Sequence, residues 1–228
     1  MRNYLKIIAS FAAIASFALS GAELALPTDG PGDITVTHKG YTVSYDHETK
    51  EPAWVAWRLT PEMRAINRPR PSVSFRVDSA CGSADPGNYA HSGHDIGHMC
   101  PSDDLEGDAE AMRDTFHTSN ACPQLPGYNR GIWKELETET RDNSRTTELW
   151  VYRGPLHQPG EATIGADSLP VPAAFWAVAY APSTGAAECY IIPHSTPPGG
   201  NLAPWKVGLE RIEMETGLRF DNMKGVAK

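Results

Sequence analysis

The sequence is poor in cysteine. Only four occur among 228 residues, Cys81, Cys100, Cys122 and Cys189, and no two stand in C-x-x-C spacing, which disfavours a thiolate zinc site. A basic excess is also missing. Twenty Lys and Arg face 28 Asp and Glu, for a formal charge of −8, which argues against tight, non-specific coating of a polyanion. A local positive cleft and a bound cation remain compatible with that balance. Beyond one N-terminal stretch, no segment has the roughly 20 apolar residues needed to cross a bilayer. Repeats and long linkers are absent, as is the regular strand–helix rhythm of a doubly wound sheet, so an α+β fold with a mixed or antiparallel sheet and flanking helices is expected. The 40% hydrophobic and 21% charged residues exclude wholesale disorder, and the length suffices for one sizeable core.

The N-terminal stretch, MRNYLKIIASFAAIASFALSGAELA, has the form of a secretory signal peptide. Arg2 and Lys6 precede an apolar run ending near Leu19, and the small residues Ser20, Gly21 and Ala22 follow. Residues 1–22 are therefore expected to be removed, leaving one domain over 23–228 that is either periplasmic or secreted and has no membrane segment. Loss of Arg2 and Lys6, the only charged residues of the leader, takes the formal charge from −8 to −10. An oxidising compartment would suit disulfides.

Along the remaining chain, ITVTHKGYTVSYD reads as two short strands around Lys39-Gly40, and residues 52–60 as a third. PEMRAI opens as a helix with Thr60 as cap and Pro61 at its first position. Residues 67–88 read as irregular. A short helix is expected at 108–117 and a clear one at 127–141. Strands are expected at 146–154, 171–180 and 187–193, and a last helix at 204–217 with Gly217 as its stop.

Two stretches carry chemistry. YAHSGHDIGHMCPSDD (89–104) holds His91, His94 and His98. The last two have the i, i+4 spacing of a helical zinc pair, but Gly93 and Gly97 oppose a helix and the glutamate of an H-E-x-x-H site is missing. A turn carrying surface histidines is the plainer alternative. In the second stretch, residues 116–141, Asn129, Trp133, Glu137 and Arg141 repeat every four residues on one helix face, beside an apolar face of Ile132 and Leu136. A surface Glu137–Arg141 pair and an Asn129 cap would explain that pattern without any chemistry.

Together the two stretches are more specific. D-x-G-H (95–98), then S-N-x-x-P-Q (119–124), then N-x-G-x-W-x-x-L-E-x-x-x-R (129–141) resembles the DNA/RNA non-specific endonuclease family, the ββα-metal nucleases that include endonuclease G. Blocks such as GYTVSYD, VYRGPL and VPAAFWAVAY extend the resemblance over roughly residues 35–220. The resemblance implies a ββα-metal fold and a hydrolase cleaving DNA and RNA without sequence preference to 5′-phosphate ends. It implies His98 as general base, Asn129 as the Mg²⁺ ligand (Mn²⁺ substituting), and Glu137 and Arg141 as further catalytic positions. Asn120 would support the site, Arg70 (with Arg68 as second choice) would approach substrate, and Asp95 would stand at the substrate side and shape the turn presenting His98. Such chemistry is reasonable: a neutral imidazole takes a proton from water near pH 7, and a magnesium ion that keeps most of its waters needs few protein ligands.

One departure is visible. Ile96 stands where the family motif usually has arginine. The resemblance also leaves room for a homodimer and for an inhibitor protein as partners. If both motifs meet at one site, Cys100 would pair with Cys122 and Cys81 with Cys189; the alternative is four reduced cysteines buried beside the core. The alternatives carried forward are a zinc-dependent hydrolase using His91, His94 and His98, and a non-catalytic nucleic-acid-binding domain.

Overall fold

The computed structural model describes residues 24–196, 199–221 and 223. The expected signal peptide lies outside the described residues. In chain order the strands are β1 (Thr28–Asp29), β2 (Ile34–Thr37), β3 (Thr42–Asp46), β4 (Glu51–Leu59), β5 (Asp95–His98), β6 (Ala121–Gln124), β7 (Leu149–Leu156), β8 (Thr163–Ile164), β9 (Leu169–Pro170), β10 (Ala174–Ala181), β11 (Ala186–Pro193), β12 (Lys206–Val207) and β13 (Leu218–Arg219). The α-helices are α1 (Pro61–Arg64), α2 (Ala109–Asp114), α3 (Pro126–Tyr128), α4 (Lys134–Asn143) and α5 (Leu209–Thr216).

Seven strands form one antiparallel sheet in the order β12-β11-β10-β7-β4-β3-β2. Its central strands are apolar on both faces, because both faces are covered. On β4, Val55, Trp57 and Leu59 enter one core while Trp54 and Ala56 enter the other. On β10, Phe175 and Ala177 alternate with Trp176 and Val178 in the same way. The first core packs α2, the helical segment from Tyr128 to Leu136, and the β5–β6 hairpin against the sheet. The second packs α5 and the strand β13. Trp57, Trp133 and Trp176 have no exposed surface, and burying a large apolar side chain stabilises by roughly 1.5–3 kcal/mol.

Most expected elements form. Thr60 caps α1 by accepting from Met63 N, and Gly217 ends α5 in the left-handed region (φ 71°), with its N–H bonded to Glu213 O at 2.9 Å. Three expectations need correction. The D-x-G-H residues form a strand, not a turn: β5 pairs antiparallel with β6, placing Gly97 opposite Cys122 and His98 opposite Ala121. A side chain at position 97 would collide with Gln124, whose Oε1 lies 2.2 Å from where a Cβ would stand, so only glycine lets this hairpin close over its partner. The helix at 127–141 is interrupted: a π-helical turn, Asn129–Trp133, joins α3 to α4, with Gly131 outside the helical region (φ −106°, ψ −111°). The last helix begins at Leu209, five residues later than expected, because 203–207 form a short 3₁₀ turn and the edge strand β12.

The expected disulfides are a fourth correction. All four are free, buried thiols. Cys189 belongs to the second core, on the face opposite the one holding Cys100 and Cys122. Cys81 lies in the loop after Asp78, where its Sγ faces Asp78 O at 3.9 Å. Cys122 neighbours Glu51, whereas Cys100 sits near Asp104 and Arg153, so the expected pairs do not form. Among the described residues no helix is long and apolar enough to cross a membrane.

Candidate active site

A polar cleft of about 430 Å³ opens between the β5–β6 hairpin and the broken helix. It is lined by Arg70, Ile96, His98, Asp103, Asn129, Arg130, Lys134, Glu137 and Arg141, with Pro101 and Ser102. Four cations against two acids give an acidic chain a locally positive cleft.

His98 ends β5. Its ring lies between Phe75 (centroids 4.7 Å apart) and Phe116 (5.1 Å, edge to face), while Arg70 stacks over the other ring, 4.9 Å from the Phe116 centroid. Burial in this apolar box, and then the Arg70 charge, lower His98 to about 3 from an ordinary 6.5, so the imidazole is neutral at physiological pH. Its Nε2 is shut off from solvent and has no hydrogen-bond partner. Trp133 ties the helix to this strand by donating from Nε1 to His98 O at 3.2 Å.

The π-helical turn brings Asn129 to the cleft, and Asp95 fixes its amide. Asn129 Nδ2 donates to Asp95 Oδ2 at 2.9 Å, and Arg130 grips the same carboxylate with Nε at 2.9 Å and Nη2 at 2.6 Å. A carboxylate can only accept here, so the amide nitrogen must face Asp95 and the Asn129 carbonyl oxygen is left over. That oxygen is a hard, neutral donor of the type a magnesium ion takes. The helix start is held by His194, whose Nε2 accepts from Leu125 N at 2.7 Å while Nδ1 faces Pro172 O at 2.9 Å.

The floor of the cleft is a network of two acids and two arginines, in which Glu137 and Arg141 face the cleft and Asp104 and Arg153 are fully buried. Arg141 Nη1 bonds Asp104 Oδ1 at 3.1 Å and approaches Glu137 Oε2 at 4.0 Å. Arg153 Nη1 lies 3.6 Å from Glu137 Oε1 and donates to Met99 O at 3.3 Å. Its guanidinium sits 5.2 Å from the rings of both Trp57 and Trp133. Trp57 Nε1 donates to Asp104 Oδ2 at 3.0 Å. Burial pushes Glu137 up to about 7, although Arg153 and Arg141 pull the other way.

The expected residues fall into three groups. His98, Asn129, Glu137, Arg141 and Arg70 line the one cleft. Asp95 is engaged with Asn129 and Arg130, so it orients groups of the site and its carboxylate is already occupied. Asn120 does not reach the cleft. It has no exposed surface, and its side chain is spent on backbone, accepting from Cys100 N at 2.8 Å and donating to Cys100 O and Thr115 O at 2.9 Å each. Arg68 donates to Glu106 O and is absent from the lining, which favours Arg70. His91, His94 and His98 do not converge: His94 and His98 flank an extended segment, about 13 Å apart at roughly 3.3 Å per residue. Ile96 is accounted for in part, since it packs on the small apolar cluster of Ala84, Tyr89, Ile164 and Leu169. Asp104, Arg153 and the two phenylalanines were not singled out from sequence. Arg153 carried a signal: a lone charge in the apolar run LWVYRGPL, on the face that alternation turns toward the first core.

Comparison with known proteins shows the family and the fold. The profile of the DNA/RNA non-specific endonuclease family matches residues 21–226. A nuclease of Syncephalastrum racemosum is 32% identical over 86% of this chain and 70% of its own length. The Serratia marcescens nuclease is 27% identical over 88% of this chain and 80% of its own, and human mitochondrial endonuclease G 29% identical over 81% and 68%. Among solved structures, that of endonuclease G in complex with the inhibitor EndoGI superposes with a TM-score of 0.77 at 29% identity, covering 83% of this chain and 86% of that one. With a ββα-metal nuclease fold and a family match over nearly its whole length, the chain belongs to the DNA/RNA non-specific endonuclease family of hydrolases.

Proposed function

We propose that the chain is an exported, Mg²⁺-dependent endonuclease that hydrolyses DNA and RNA to 5′-phosphate ends at the His98–Asn129 cleft. The observation that carries this reading is the Asn129 amide pinned by Asp95, with its oxygen left over, in the same cleft as a neutral histidine. Residues 23–228 act as one nuclease domain after removal of residues 1–22. That part rests on the leader pattern, which supports a periplasmic or secreted location.

In this reading His98 takes the proton from the attacking water. Burial first, and then the Arg70 charge, keep its imidazole neutral in the free chain, and an incoming phosphodiester offsets that charge. Arg70 and Arg141 receive the phosphate oxygens and stabilise the charge that develops on them. A magnesium ion held by Asn129, and served through its waters by Glu137, would supply stabilisation of the departing 3′ oxygen. Asp95 and Asn120 position the groups that act. Attack on phosphorus breaks the bond to the 3′ oxygen, leaving a 3′-hydroxyl and a 5′-phosphate. Phosphate contacts carry no base identity, which supports sequence tolerance. An inhibitor protein, as in the endonuclease G complex, is a fitting partner for so open a cleft.

The test is digestion of plasmid DNA and of RNA by EDTA-stripped protein with and without added Mg²⁺, or Mn²⁺ in its place, followed by end analysis of the products. Cleavage restored by Mg²⁺ to ligatable 5′-phosphate ends is expected. Retention of nucleic acid without cleavage would instead support a binding domain.

A further inference from the structure

Behind the Phe116 shelf lies a cluster that the nuclease reading does not use. His38, from the turn between β2 and β3, Asp78, from the long irregular segment, and His117, from the turn before β6, each present one ligand atom. These atoms lie within 4.8 Å of one another. His38 Nε2 is 2.8 Å from Asp78 Oδ2, and the two imidazoles are stacked with centroids 4.8 Å apart. Asp78 is buried and firmly held: Ser119 Oγ donates to Oδ2 at 2.6 Å and Ala80 N to Oδ1 at 3.0 Å. His117 Nδ1 is closed off from solvent without a partner. An imidazole nitrogen left unsatisfied in a buried setting is costly unless something completes it. The His38–Asp78 hydrogen bond alone does not explain why a second imidazole is brought to the same carboxylate and left incomplete.

We propose that His38, Asp78 and His117 form a zinc site distinct from the catalytic cleft. Two imidazole nitrogens and one carboxylate oxygen suit Zn²⁺, which takes such ligands at about 2.0–2.2 Å in a tetrahedron. Ligand atoms on that tetrahedron stand roughly 3.3 Å apart, so the cluster needs only side-chain adjustment. Binding replaces the His38–Asp78 hydrogen bond and releases the proton it holds. Nitrogen donors are poorly suited to Mg²⁺, so the two cations sort by ligand chemistry, magnesium to the Asn129 oxygen and zinc to this group. Water takes the fourth position. His38 also lines a surface cleft of about 300 Å³, which gives an ion a way in.

The site would clamp three segments distant in sequence. His117 follows Phe116, the ring that packs against both His98 and Arg70, and Arg76 pairs with the same turn through Arg76 N to Phe116 O at 3.0 Å and Thr118 N to Arg76 O at 2.9 Å. Zinc here would therefore stiffen the wall of the cleft without touching substrate. In the absence of disulfides it would serve as the cross-link of this region.

The test uses the full mature chain stripped of metal, titrated with ZnCl₂ in excess Mg²⁺, and with Co²⁺ as a spectroscopic substitute. Expected are one Zn²⁺ per chain, a raised melting temperature, and the visible absorption of four-coordinate Co²⁺. His38→Gln and His117→Gln should each weaken zinc binding at least tenfold, while His98→Ala should not. Circular dichroism of each variant establishes folding, and should one fail to fold, the other carries the test. No stoichiometric zinc in the wild type, unchanged affinity in a folded His38 or His117 variant, or loss in His98→Ala would overturn the proposal. None of these readouts depends on nuclease activity.

Discussion

Replacing Arg153 by methionine removes the cation beneath the cleft while keeping much of its volume. Arg153 has no exposed surface and lies 3.6 Å from Glu137, with Asp104 in the same network. After Arg153→Met, the two acids share Arg141 alone, at 3.1 Å from Asp104 and 4.0 Å from Glu137. Breaking a buried ion network by removing one member costs about 3–5 kcal/mol. The loss must depend on pH, and its sign follows from Glu137. The folded-state value near 7 exceeds the ordinary 4.5, so the folded chain binds the extra proton between these values and its stability falls as pH rises through that window. Without Arg153 the folded value rises further, and the fall continues above 7 at up to about 1.4 kcal/mol per pH unit. Urea unfolding of both proteins at pH 6 and pH 8 should therefore show a larger deficit at pH 8. Adding Glu137→Gln to the variant should remove most of this pH dependence and cost less than the two single losses combined. A deficit below about 1 kcal/mol at both pH values would refute the view that Arg153 holds the buried acids in place.

Three further outcomes follow from the same structure. Asn120→Ala strands Cys100 N, Cys100 O and Thr115 O in the core and should lower stability by about 2–4 kcal/mol in chemical unfolding, at about 1–3 kcal/mol for each unsatisfied buried group with partial relaxation. Asp95→Ala frees the Asn129 amide, and the Mg²⁺ concentration for half-maximal cleavage should rise about 10–100-fold, the usual effect of losing a group that orients a metal ligand. His98, depressed to about 3 from 6.5, binds its proton more readily in the unfolded chain, so it contributes stability above pH 6.5 that is lost as pH falls toward 3. A His98→Phe variant should lose less stability than the wild type over that window, as read by melting temperatures across pH.

The strands of the sheet were legible because burial on both faces makes β4, β7 and β10 near-continuous apolar runs rich in aromatic and β-branched residues. The cleft was legible in outline because His98, Asn129, Glu137 and Arg141 sit in local motifs whose spacing survives in the fold. What escaped was tertiary. The β5–β6 hairpin is stabilised by partners far apart in sequence, such as Asp95 and Gln124, 29 positions apart, and its glycine and histidines mimic a turn. The π-helical turn at Asn129 leaves no mark in a pattern of fours. Asn120 looked chemical, yet its three backbone bonds make it a strut. Arg153 lies 12 residues beyond Arg141, and only strand pairing brings it beneath Glu137. The disulfides failed because proximity of motifs along one hairpin does not turn two cysteines toward each other.

In the proposed mechanism His98 accepts the proton of the attacking water. Single-turnover cleavage of a short duplex at saturating Mg²⁺ by the wild type and by His98→Ala tests it most directly. A loss of about 10²–10⁴-fold, the usual contribution of a general base, with the Mg²⁺ requirement unchanged, is predicted. A rate within threefold of the wild type would contradict it.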